Sequence, residues 1–166
     1  MNNMTPKFKS AVLIASDRAS ESIRPDTTGP ALENRLNELG YLMVCREVVP
    51  DNKDELISVL KRWADTDKIA LILTSGGTGL APRDVTSEAT LEIIDRRVAG
   101  MEEAMRHASM IITPLAMLSR AVVGIRNKSL IINLPGSPKG ALENLKAVEP
   151  ALQHALELIN GFRPDP

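Results

Sequence analysis

The stretch LILTSGGTGLAPRDVTSEAT, residues 71–90, passes from an unbroken apolar run into Ser75-Gly76-Gly77-Thr78-Gly79, then through Arg83 and Asp84 into a helix-forming segment. An apolar run without alternation suits a strand covered on both faces. Glycine lacks a Cβ and tolerates positive φ, so the loop admits a ligand close to the backbone. Its free N–H groups, with the amino terminus of the following helix, can hold a phosphate. The loop lacks the Lys-Ser/Thr of a Walker motif and the Gly-x-Gly-x-x-Gly spacing of a dinucleotide fingerprint. Taken alone it is either a binding loop or a tight strand-to-helix turn.

The same strand-then-helix unit recurs on both sides. AVLIA at 11–15 precedes a helix marked by Leu32, Leu36 and Leu39, opened near Pro30 and ended by Gly40. YLMVCREVV at 41–49 precedes a helix carrying Leu56, Val59, Leu60 and Trp63. Beyond the glycine loop, Leu91, Ile94 and Val98 form one helical stripe, and Met101, Ala104, Met105, Ala108 and Ile112 a second. AVVGI and LIINL, separated by RNKS, fit two strands joined by a hairpin or short turn. A last helix has Leu142, Leu145, Val148, Leu152, Leu156 and Ile159 in phase, with a kink or break expected at Pro150. Alternating strands and helices predict an α/β domain with a mostly parallel sheet and helices on both faces, one domain over 1–166.

Composition narrows the function classes. The chain has 166 residues, 43% hydrophobic and 25% charged, with 21 acids against 20 bases. That balance offers no basic footprint for nucleic acid. No apolar run approaches the ~18 residues of a membrane span, and MNNMTPKFKS lacks a signal-peptide core, so a cytoplasmic protein is expected. One cysteine, Cys45, and two histidines, His107 and His154, give no Cys/His cluster for zinc.

Ligands of an open parallel sheet bind beyond the carboxyl ends of its strands. The four exits here are Ser16-Asp17, Pro50-Asp51, Ser75 to Gly79, and Pro135-Gly136-Ser137. Asp84 is either a binding acid or a helix cap, with Thr86 competing for the cap. Two carboxylates such as Asp51 and Asp84 at ~5 Å would repel by about 3 kcal/mol at an effective dielectric of 20, a cost that a cation removes. Oxygen ligands beside a phosphate loop favour Mg²⁺. Arg83 either meets a phosphate or covers a helix end.

SDRAS, PDTTGPAL, VVPDN, the stretch at 71–90, ITPLAMLSR and GIRNKSLIINLPGSPKGALENL together resemble the molybdopterin adenylyltransferases of molybdenum-cofactor synthesis. The resemblance covers nearly the whole chain in unbroken order. It implies a three-layer α/β sandwich of the molybdopterin-binding fold, usually a homotrimer, that transfers AMP from ATP to the terminal phosphate of molybdopterin with Mg²⁺. Contact with the enzyme that inserts molybdate is also implied.

The family's functional acids fall on Asp51 and Asp84, its binding-loop threonine on Thr78 and its Leu-Ser-Arg serine on Ser119. Ser16 and Asp17 match its Ser-Asp, and Asp26 with Gly29 its Asp-x-Ser/Thr-Gly element. The implied catalytic set is Asp51, Asp84 and Ser119, with the two acids on the metal. Ser16, Asp17, Gly76, Gly77, Thr78, Gly79, Pro135, Gly136 and Ser137 form the binding loops. A non-catalytic molybdopterin carrier of the same fold is the alternative. One departure falls at Ala99-Gly100-Met101-Glu102-Glu103, where bacterial members commonly read Pro-Gly-Phe-Gly-Glu; it bears on a pocket wall or a subunit contact.

Overall fold

A computed structural model describes residues 8–23 and 25–162. Residues 1–7, on which the expected lack of a signal segment partly rests, lie outside it. Six strands form one sheet in the order β2-β1-β3-β6-β5-β4. They are β1 (Lys9–Ala15), β2 (Leu42–Val49), β3 (Leu71–Ser75), β4 (Arg96–Arg97), β5 (Val123–Arg126) and β6 (Ser129–Leu134). β2, β1, β3 and β6 are parallel, whereas β5 and β4 run antiparallel to their neighbours.

The helices are α1 (Asp17–Ser20), α2 (Thr28–Glu38), α3 (Lys53–Lys61), α4 (Thr86–Ile93), α5 (Ala99–Met110) and α6 (Pro138–Asn160). Side chains alternate across a strand, which divides the apolar runs between two cores. Val12 and Ile14 of β1 face Leu32 and Leu36 of α2, Met105 of α5 and Leu145 and Leu152 of α6. Ala11 and Leu13 face Leu56 and Leu60 of α3, Trp63, and Ala89 and Ile93 of α4. Two filled faces explain the absence of polar alternation in AVLIA, and they make the three expected layers.

β1 leads to β2 on one side, and the chain then returns to β3 on β1's other side. The helices of these two crossovers, α2 and α3, accordingly lie on opposite faces. The crevice between the carboxyl ends of β1 and β3 is therefore the topological switch point, where such sheets bind ligands.

Three local expectations are corrected. Leu91, Ile94 and Val98 do not share a helix, because α4 ends at Ile93 and Arg96–Arg97 pairs with β5. The open edge of β5 captures that segment: Asp95 N and Val98 N donate to Ile125 O and Val123 O at 2.7 and 2.8 Å. α5 stops at Met110, leaving Ile112 beyond it and exposed. α6 runs unbroken through Pro150, which lies on its exposed face, so the missing N–H leaves no buried acceptor. The RNKS hairpin is present, with Asn127 at φ 51°, a conformation asparagine tolerates.

Candidate active site

The exits of β1 and β2 are locked together by two acids. Asp17 N donates to Asp51 Oδ2 at 3.1 Å, and Asp51 N donates to Asp17 Oδ1 at 3.0 Å. Arg83 crosses from the β3–α4 loop and grips both oxygens of Asp17, Nε at 2.7 Å and Nη2 at 2.6 Å. In this structure Arg83 neither covers a helix end nor stands alone: it is paired with Asp17. The pair holds the Asp17 carboxyl below the usual carboxylate range, with the Asp51 N–H adding to the effect. Asp51 goes the other way: burial pushes its carboxyl up, and the charges of Asp17 and Asp84 add to the shift.

A carboxyl whose folded pKa is raised loses folding stability as pH climbs from the unfolded value through the folded one. Asp51→Asn removes that penalty while its amide oxygen can still accept the Asp17 N–H. The variant should therefore melt at or above the wild-type temperature at pH 7, and the difference should vanish below about pH 3.8, the ordinary value of an aspartate carboxyl. Calorimetry at the two pH values checks this; a lower melting temperature at pH 7 would mean the buried charge is stabilised by its surroundings.

The glycine loop is shaped by contacts that leave no room for side chains. Gly76 has φ 97°, and a Cβ there would lie 2.3 Å from Ala15 O; Gly77 has φ 65° and packs on Thr86 Oγ1. Asp84 Oδ2 accepts from Ala81 N at 2.8 Å, closing the loop upon itself. Neither Asp84 nor Thr86 caps α4: the N-cap is Val85, with no side-chain cap bond, and the buried Thr86 hydroxyl has no hydrogen-bond partner among the described residues. The capping alternative for Asp84 is thus set aside.

The β6 exit meets the same loop. Ser75 Oγ donates to Pro135 O at 2.8 Å and Thr28 Oγ1 to Gly136 O at 2.9 Å. Gly136 is so close that a Cβ on it would sit 3.4 Å from Gly76 Cα. Ser16 and Ser137 cap α1 and α6, accepting from Ala19 N and Gly140 N at 3.2 Å each. Asp26 Oδ1 accepts from Thr28 N and Gly29 N, the local reason for the Asp-x-Thr-Gly spacing.

Two compartments draw on these segments. One, of about 290 Å³, has a mixed lining that includes Ser16, Asp26, Thr28, Ser75, Gly136 and Ser137 beside Ile14, Ala15 and Pro25. The other, of about 310 Å³, joins Thr78, Gly79 and Ser119 to Arg106 and Asn144, with Ile112, Leu115 and Leu118 giving it a more apolar wall. Segments 75–79 and 135–137 contribute to both. Asp17, Asp51, Asp84, Gly76 and Gly77 line neither. The residues 99–103 also line neither; Met101 enters the core, and Glu102, 2% exposed, accepts from Arg97 and from Val123 N. Sequence reasoning passed over Arg106 and Asn144. The Glu102–Arg106 spacing of four residues was the available signal for the first.

Asp51 and Asp84 each offer an oxygen of the kind a hard divalent cation takes. Asp51 and Asp84 each commit one oxygen, Oδ2, to a backbone N–H and leave Oδ1 without a hydrogen bond among the described residues. No group of three or more His, Cys, Asp or Glu side chains suited to a metal occurs among those residues. One or two carboxylates, completed by water and substrate phosphate, is how Mg²⁺ is usually held.

Residues 11–154, from β1 into α6 and spanning every loop described above, match the family described as a probable molybdopterin-binding domain. The chain belongs to this family. It is 45% identical over 152 residues to a molybdopterin adenylyltransferase from Helicobacter pylori, covering 90% of this chain and 86% of that protein. It is 44% identical over 160 residues to gephyrin from Dictyostelium discoideum, but spans only 22% of that longer protein. Among solved structures, the molybdopterin biosynthesis enzyme MoaB from Thermus thermophilus superposes with a TM-score of 0.89 at 48% identity, covering 95% of this chain and 98% of that one. The family's mostly parallel α/β architecture is the one found here.

Proposed function

We propose that the protein is a molybdopterin adenylyltransferase, transferring AMP from ATP to the terminal phosphate of molybdopterin in molybdenum-cofactor synthesis. The observation that carries this reading is the pair of compartments that share the same two loops, residues 75–79 and 135–137, a layout suited to two large reactants joined at one bond. The more apolar compartment, with Thr78 and Ser119, suits the flat pterin; the more polar one suits the nucleotide.

A phosphate oxygen of the pterin attacks the α-phosphorus of ATP, a P–O bond forms, and the bond to pyrophosphate breaks in line. A phosphomonoester is largely ionised near neutral pH, its second pKa being about 6, so no general base is needed. Bringing two polyanions together is the harder task, and it is met by fixed donors and positioning. Thr78 and Ser119 orient the pterin side, the glycine loop offers backbone N–H groups, and Arg106 supplies a cation in the pterin compartment. Mg²⁺ held by Asp51 and Asp84 would neutralise charge on the triphosphate.

The protein is cytoplasmic and homotrimeric in this reading, a single domain over 1–166 that hands its product to the molybdate-inserting enzyme. Exposed Ile111, Leu115 and Met117, beside the second compartment, offer an apolar face that self-association would cover. No described helix is long and apolar enough to cross a membrane.

Pyrophosphate release from ATP by the purified protein, with and without molybdopterin and with Mg²⁺, tests the assignment. Pterin-dependent release is expected. Pterin binding without release would identify a carrier of the same fold instead.

A further inference from the structure

Resting on that function, we propose that Arg120 is a positioning residue that fixes the glycine loop and Asp84 against Ser119. Its backbone N–H donates to Thr78 O at 2.9 Å. Its Nε donates to Gly79 O and its Nη2 to Asp84 O, both at 2.7 Å, while Nη1 pairs with Glu88. Its own carbonyl accepts from Ser87 Oγ at 2.7 Å. One residue therefore binds the loop at its start, at Gly79, at Asp84, and in the first turn of α4.

The loop is also held at Gly76 N, which donates to Leu134 O, at Gly77 O, which accepts from Thr86 N, and at Arg83 through Asp17, and Arg120 ties the stretch from Thr78 to Asp84. Gly76, Gly77 and Gly79 carry no side chains to pack, and α4 has no side-chain cap. Among the described residues the Asp84 side chain is tied only to Ala81 N, within the same loop. The direction of its free oxygen is thus set by where Arg120 holds the Asp84 carbonyl. Ser119 is the preceding residue in the chain, so the pterin-side serine and the metal-side acid share one anchor. Arg120 itself lines neither compartment, and it acts through these neighbours.

A guanidinium can serve two carbonyls and a carboxylate at once because its donors diverge in one rigid plane; an ammonium on a flexible stem cannot. Arg120→Lys is therefore expected to behave like Arg120→Ala, although it keeps the charge. A misplacement of about 1 Å at reacting groups costs about 10²-fold in rate, so kcat should fall about 10²-fold. KM for molybdopterin should stay within about threefold, since the compartment walls from α5 and α6 are untouched.

The experiment has two arms. Amide hydrogen exchange should speed up by about tenfold or more at Ala81 and Asp84 in both variants, while α6 amides keep wild-type rates, marking local rather than global opening. Pyrophosphate release should show the kcat loss, and added guanidinium ion should restore part of it in Arg120→Ala but not in Arg120→Lys. Unchanged exchange in the loop overturns the proposal, as does faster loop exchange with kcat within twofold of an active wild type. If the wild type releases no pyrophosphate with molybdopterin, the proposed function fails, and exchange alone then decides whether Arg120 anchors the loop.

Discussion

Asp84→Asn is expected to lower kcat for pyrophosphate release by about 10³-fold, the scale of losing a charge that acts on the developing transition state. The substitution keeps the shape of the loop, because the amide oxygen can accept the Ala81 N–H that Asp84 Oδ2 accepts at 2.8 Å. What changes is the other position: an N–H₂ donor replaces the free oxygen that the proposed Mg²⁺ would take, and it would not bind a cation. Thermal stability should therefore stay within about 2 °C of wild type, less than 1 kcal/mol for a domain of this size. A titration of rate against Mg²⁺ separates the possibilities. If the variant keeps half the wild-type turnover with an unchanged Mg²⁺ requirement, Asp84 is not a metal ligand.

Gly76→Ala should be the most damaging substitution for the fold, by about 3 kcal/mol. At roughly 2–4 °C per kcal/mol for this size of domain, the melting temperature should drop by about 6–12 °C. Two causes combine: φ is 97°, and the new Cβ would lie 2.3 Å from Ala15 O, a backbone atom at the carboxyl end of the inner strand β1. Gly40→Ala separates them. Gly40 has φ 86° with nothing within 4 Å of an added Cβ, so it should show the conformational cost alone, about 1 kcal/mol. Equal losses in urea unfolding of the two variants would mean β1 and β3 can shift apart at that contact.

The fold was legible because its strongest signals are local. Doubly buried strands show as apolar runs, and each is followed by turn residues and a 3.6-residue stripe. The errors fell where tertiary pairing overrides local pattern: residues 94–98 continue a helical stripe, yet β5 offers them an open edge. Pro150 marks a break only if its missing N–H faces the core, and one chain of letters does not say which face that is. At the site, the rule for strand exits located Ser16, Asp17, Asp51, the glycine loop and Gly136 without any family. The division into two compartments was not legible, since it depends on how the loops at 75–79 and 135–137 come together across sixty positions of chain. The Arg83–Asp17 and Arg120–Gly79 bonds were hidden for the same reason: an arginine's reach exceeds what spacing can report.

β6 lies between β3 and β5 in the interior of the sheet, yet it is the last strand in the chain. A nascent chain that has left the ribosome as far as residue 128 therefore carries β3, with five buried-to-be residues, as an unpaired edge. That edge is apolar and can pair with another copy. Synthesis thus passes through an interval of aggregation risk that ends only when residues 129–134 emerge and slot between β3 and β5. A chaperone that shields that edge until β6 emerges would raise the yield of folded protein without changing a single contact in it, whereas slow codons just before that point would lower it.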